Sequence, residues 1–319
     1  MKIKFQHLLV AASLLAAPIL GLAQYPDKPV RFLLPSGPGS AADILGRTYG
    51  DKLSTQIGQP VVVENKAGAA GAIAADLTAR AAGDGYTIML NSSAMAINPW
   101  FGKQPFDFQK DLTPIARSGQ TPYIITVDAK LPIQNLEQFV AYAKNNPGKL
   151  SCGSYGIGSP AHLGLEMLKR AAGVDILHVP YKSSTLAIPE LLNGQLGCII
   201  EPPPGAVGHI QSGRLRVVAH TGTEVMANFP KADPVGRLYP EATIVGWQGI
   251  FAPASTPKPV VERLRAEWKK VLSSPEVEQK LRDTGFQPGN GNIDDFLKTM
   301  ASDHERFGRI IKEAGIRPE

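Results

Sequence analysis

Short apolar runs alternate with amphipathic stretches along most of this chain. Val30-Arg31-Phe32-Leu33-Leu34 predicts a buried strand, closed by Pro35-Ser36-Gly37-Pro38-Gly39-Ser40 and followed by a helix from Ala41 to about Gln56. Val61-Val62-Val63-Glu64 predicts a second strand and Ala70 to Ala82 a Gly/Ala-rich helix. Thr87-Ile88-Met89-Leu90 predicts a third strand, entered through Gly83-Asp84-Gly85. Continuous apolar strands joined by helices indicate a parallel sheet covered on both faces.

The cycle then restarts. Strands are expected at Tyr123–Val127, Leu150–Cys152, Ile176–Val179, Cys198–Ile200 and Val217–Ala219. The helices between them are expected at Leu136–Asn145, Ala161–Ala172, Thr185–Asn193 and Ala206–Ser212. After one more strand, Trp247–Phe251, the chain turns helical over Lys258–Ser273, Glu276–Arg282 and Ile293–Ala314. Val260, Leu264, Trp268, Val271 and Leu272 recur at helical spacing. The pattern predicts an α/β protein of two domains with parallel-rich sheets. The first domain is discontinuous (24–123 and 247–319), the second spans 124–246, and a C-terminal helical tail returns to the first sheet. Two chain crossings then form a hinge.

Length agrees with this, since 319 residues exceed one ordinary core. Residues 1–23 carry Lys2 and Lys4, then an apolar run from Leu8 to Ala17, then Gly21-Leu22-Ala23. That order predicts a secretory signal peptide cut after Ala23 and a periplasmic product. The apolar stretch is short for a membrane span and Pro18 interrupts it. No Cys stands at the junction, which argues against a lipoprotein. Removal would leave 296 residues and lower the formal charge from +5 to +3. So weak and scattered a balance gives no case for nucleic acid. Cys152 and Cys198 are the only cysteines. With no CxxC or Cys/His cluster, neither a metal site nor a cofactor is expected. An oxidising compartment would permit them to pair, and two buried thiols fit the sequence equally well.

Candidate chemistry lies in the loops at strand ends, where open α/β sheets bind ligands. In the first loop, Ser36, Gly37, Pro38, Gly39 and Ser40 precede a helix start, and small residues there bare N–H groups that bind anions without Lys or Arg. Ser40 with Asp43 forms a capping pair, which alone would explain both residues. Asp43 counts against a phosphate as the anion. It fits a carboxylate held partly through water, or an amine. The second loop, Gly156, Ile157, Gly158 and Ser159, runs into Pro160 with His162 just inside the helix, a strong start signal. His162 reads either as a donor to a ligand or as a satisfied structural side chain. Ser92, Ser93, Tyr181 and Glu201 stand at further strand ends. Ser159 lacks the following Gly of a GxSxG elbow, and no nucleophile–base pair is visible, so no enzyme is expected.

At these residues the chain resembles the Bug family, the extracytoplasmic solute receptors of tripartite tricarboxylate transporters. The likeness runs from Tyr25-Pro26-Asp27-Lys28-Pro29 to Gly315-Ile316-Arg317-Pro318. It includes Gly58 to Lys66, Asp84-Gly85-Tyr86-Thr87, Ala96-Ile97-Asn98-Pro99, Pro147-Gly148-Lys149-Leu150 and His178-Val179-Pro180-Tyr181-Lys182. The resemblance implies a type II periplasmic-binding-protein-like fold that closes on an amino acid, a di- or tricarboxylate or an aromatic acid. It also implies a monomer that delivers its ligand to membrane permease subunits. The loops named above match the family's ligand loops. Three departures fall at the pocket: Ser36 replaces an aromatic, Ser183 replaces a Gly, and Ile200-Glu201-Pro202 replaces an Asp-Asn ending. The alternatives are a sensor that reports ligand occupancy to a signalling partner and an exported hydrolase.

Overall fold

The structure is a computed structural model that describes residues 25–289 and 292–317. The expected leader, Met1 to Ala23 with its cleavage point, lies outside the described residues.

Twelve strands among the described residues form two six-stranded sheets. In the first, β1 (Val30–Leu34), β2 (Val61–Asn65) and β3 (Thr87–Ser92) run parallel. Beside them, β4 (Leu112–Pro122) pairs antiparallel with a late strand, Val245–Pro253. In the second sheet, β5 (Ile124–Asp128) lies antiparallel to its neighbours. The parallel set there is β6 (Ser151–Ser154), β7 (Leu177–Pro180) and β8 (Cys198–Glu201), and β9 (Leu215–His220) with β10 (Asp233–Pro234) completes the sheet. The late strand is β11, and β12 (Gln287–Pro288) ends the first sheet. The sheets are thus mixed, each with a parallel set beside antiparallel strands. β4 has no counterpart in the sequence reading, because Pro114, Arg117, Gly119 and Pro122 break its apolar pattern.

Helices begin where the local chemistry asks for them. Ser40 Oγ accepts from Asp43 N at 3.3 Å to cap α1 (Ala41–Ile57), which Gly58 ends in the left-handed region at φ 69°. The helix expected over Ala70–Ala82 is shorter: a 3-10 turn, Ala69–Gly71, leads into α2 (Ala72–Ala79), with Gly71 at φ 94°. A short helix, α3 (Ala94–Ile97), follows β3, and Asn135 caps α4 (Leu136–Asn145). Ser159 caps α5 (Pro160–Ala172), with Pro160 in its first turn. Next come α6 (Ser184–Leu192) and α7 (Val207–Gln211). The tail supplies α8 (Lys258–Leu272), α9 (Pro275–Asp283) and α10 (Ile293–Ala314). α8 packs on α1 and β4, and α10 on β4. No described helix is long and apolar enough to cross a membrane.

The chain passes from β4 to β5 through Tyr123 alone and returns to the first sheet from Ile244 into β11. Thr221 ties the two passages together. It donates from N to Tyr123 O (2.9 Å) and accepts from Tyr123 N at its hydroxyl (2.9 Å), which in turn donates to Ile244 O (2.6 Å). Cys152 and Cys198 are register partners on the adjacent strands β6 and β8, with Cα atoms 4.5 Å apart, a spacing that permits a disulfide between them.

Candidate ligand-binding site

A cavity with about 600 Å³ of empty space, mouth included, opens between the two sheets. The first sheet's side gives Pro35, Ser36 and Ser40, the first residues of α1 (Ala41 and Ala42), the turn residues Ala70 and Gly71, and the β3 end at Leu90, Asn91 and Ser92. The second gives Tyr155, Ser184 and Pro202. The crossing strands add Thr121, Tyr123, Gly246, Trp247 and Gln248, and Phe286 closes one side. None of these residues carries a formal charge.

Polar groups in this neutral lining are held in place. Ser36 and Ser40 share a hydrogen bond of 2.5 Å between their hydroxyls, and Asn65 Nδ2 donates to Ser36 O at 2.8 Å. The N–H groups of Ala41 and Ala42 open α1, where no intrahelical acceptor exists. Asn91 accepts from Ser92 N (2.8 Å) and donates to Gly71 O (3.1 Å), pinning the turn to β3. Tyr123 and Tyr155 stack with ring centroids 6.3 Å apart. Burial pushes Tyr123 up to about 12 and Tyr155 well above the ordinary phenol range, so both remain neutral donors. Gln248 Oε1 is buried without a partner.

The sequence-derived candidates divide. Ser36, Ser40 and Ser92 line this cavity. Gly37 and Gly39 face Ser183 and Thr185 of the other half, with Pro38 exposed beside them. Asp43 turns away into its own loop: Gly39 N donates to it (2.9 Å), as do Arg47 (3.0 Å) and Asn65 (2.9 Å). Burial raises its pKa, but those hydrogen bonds outweigh burial and hold it below the ordinary value. Ser93 is buried behind Ser92. Gly156, Ile157 and Tyr181 line a second, more open hollow with Asn98, Gln104 and Lys182. Gly158 leads into the Ser159 cap and touches Asn98, a contact between the two halves. His162 reaches neither hollow. It stacks on His178 at 4.0 Å and accepts from Gly158 N at 3.3 Å. Glu201 is fully buried next to Ser184, and burial raises its pKa to about 7 while Ser184 opposes the shift.

Sequence reasoning missed Tyr123, Tyr155, Ser184, Trp247 and Gln248. Tyr123 and Trp247 stand where the chain was expected to cross between sheets, a signal that was available. Tyr155, one residue before the Gly156 loop, had no distinguishing pattern.

The family model for the tripartite tricarboxylate transporter family receptor matches residues 45–316. The protein BugT of Bordetella pertussis is 31% identical over 312 residues, 97% of this chain and 95% of its own. Among solved structures, the periplasmic binding protein BugD superposes with a TM-score of 0.87 at 28% identity, covering 92% of this chain and 100% of that one. An R. palustris protein with adipate gives a TM-score of 0.88 at 28% identity, again over 92% and 100%. MatC of Rhodopseudomonas palustris with bound malate gives 0.83 at 25% identity, over 90% and 100%.

Proposed function

This chain belongs to the tripartite tricarboxylate transporter family receptors, and from that premise we propose that it captures a small carboxylate between its two halves and delivers it to a membrane permease. The family and fold are those of periplasmic solute-binding proteins, not of enzymes. The observation that carries the reading is the uncharged cavity walled by both sheets, with the start of α1 and Ser184 of α6 on its surface.

An anion in such a place needs oriented dipoles in place of a countercharge. The first N–H groups of a helix supply them, and the aligned peptide dipoles favour negative charge there. Ser36, Ser40 and Ser184 add hydroxyl donors, and the Tyr123 and Tyr155 phenols remain protonated. Tyr123, Tyr155, Trp247 and Phe286 present apolar faces to the body of the ligand. Opening at the Tyr123 and Ile244 passages lets the ligand in, and closure removes water from the carboxylate. The two structural neighbours with adipate and malate support an acid as ligand. Export by a leader cut after Ala23, two domains divided at 123/124 and 246/247, and action as a monomer complete the proposal.

Thermal unfolding with adipate, malate, glutamate and benzoate tests it. A bound acid at about 100 times its Kd stabilises the protein by about 2.7 kcal/mol and raises Tm accordingly. Turnover of a substrate, with no Tm response to any acid, refutes the reading.

A further inference from the structure

Glu201 ends β8 with its side chain fully buried, and neither carboxyl oxygen has a well-formed hydrogen-bond partner. One point in space locates it. A Cβ placed on Gly205 would stand 3.0 Å from Glu201 Oε2, 3.5 Å from Ser184 Oγ and 3.9 Å from Ala41 N. Ala41 opens α1 on the first sheet's side and Ser184 opens α6 on the second's, and both line the cavity. Glu201 therefore lies close behind the two helix starts that the carboxylate reading assigns to the ligand, without lining the cavity itself.

An ionised Glu201 this close to the cavity would repel a ligand carboxylate, because two neighbouring carboxylates cannot both ionise cheaply. A protonated Glu201 becomes a donor. We propose that Glu201 admits a carboxylate ligand only in its protonated form, so that binding takes up a proton and weakens as pH rises. This rests on the carboxylate-capture reading of the same cavity.

The surrounding charges leave Glu201 to its burial. On α1 the ionisable groups near the cavity are Asp43 and Arg47, bonded to each other at 2.9 Å. Lys182 precedes α6 and lines the other hollow. His209 lies on α7, with its pKa lowered by burial and then by Arg214. On the sheet side, His220 of β9 pairs with Ile124, whose other partner is Glu201. His220 is held neutral by burial, with Asp233 and Arg237 acting in opposite directions. None of these groups contributes to the shift of Glu201, which burial brings to about 7 against the opposing effect of Ser184.

The experiment is calorimetric titration of the wild type and Glu201→Gln with adipate, malate, glutamate and benzoate in turn, at about pH 6 and about pH 8. A protonation requirement with a midpoint near 7 makes wild-type Kd about 10-fold lower at the acid end, and Glu201→Gln, permanently neutral, loses that slope while still binding. Wild-type titrations at about pH 8 in two buffers of different ionisation enthalpy read the proton directly, should the variant not fold, and net uptake is expected there. A pH-independent wild-type Kd, zero proton uptake, or an unchanged slope in Glu201→Gln overturns the proposal. So does glutamate binding that strengthens with pH and fails in Glu201→Gln, which would assign the carboxylate to a ligand amine. Absence of binding by all four acids at both pH values refutes the carboxylate reading itself.

Discussion

Gly246 has no room for a side chain, since a Cβ there would collide with the Tyr123 hydroxyl. The cavity's tyrosine pair thus depends on a bare backbone opposite it. Gly246→Ala forces that ring aside and is expected to cost about 1–3 kcal/mol and at least several-fold in ligand affinity, read by chemical denaturation and calorimetry. His162 and His178 predict an acid response. Burial, then the neighbouring His178 and Lys169, lower His162 to about 3; burial, then Lys169, lowers His178 to about 4. Below pH ~6.5 the unfolded chain binds protons that the folded pair refuses, so stability falls as pH drops toward those values. The loss by about pH 4 is on the order of 2 kcal/mol or more, measured as a falling urea midpoint, and His162→Phe should reduce it in part, because burial still lowers His178 and His220. A midpoint that holds steady from neutrality to that pH contradicts this account. At this scale the sequence shows which loops carry bare N–H groups. It does not show that Asp43 turns inward to Asn65, nor that Tyr155 faces Tyr123, because those contacts join different elements; the Asp43–Arg47 pair, at i,i+4 spacing on α1, was legible and was not read.

Elements were more legible than contacts. α4 has the expected bounds, and the parallel strands appear within a residue or two of their expected runs; β1, β3 and β8 are largely buried and so apolar, while β2 and β7 lie at sheet edges. β4 is the exception. It owes its place to β11 on one side and to the α8 and α10 cover, not to its own composition. Helix starts follow their capping residues, and Ser159 gives a measurable case. Its Oγ accepts from His162 N at 3.1 Å, so Ser159→Ala should lower stability by about 1 kcal/mol. Affinity should change less than about two-fold, since the residue lies outside the main cavity and such a cap acts on helix stability. An affinity loss larger than the stability loss would move α5 into the binding site.

For the whole molecule, the two halves meet at glycines. Gly37 faces Ser183, Gly39 faces Thr185, Gly156 faces Ala70 and Gly158 faces Asn98. Gly158 has φ 74°, and a Cβ on it would collide with the Asn98 side-chain oxygen. Gly158→Ala is therefore expected to hold the halves apart and raise Kd by about 10-fold, a little over 1 kcal/mol, with small-angle scattering showing a larger ligand-bound radius than in the wild type. Thr221 links both passages between the sheets, and the proposed closure would turn about Tyr123 and Ile244. The central claim is that neutral donors at helix starts hold an acid inside the cavity. A crystal structure of the protein with the acid that raises Tm most tests it directly. The account predicts a carboxylate within about 3 Å of the Ala41 or Ala42 N–H groups or the adjoining serine hydroxyls, or joined to them by a single water. A carboxylate paired with Lys182 in the outer hollow, with the inner cavity unfilled, would contradict it.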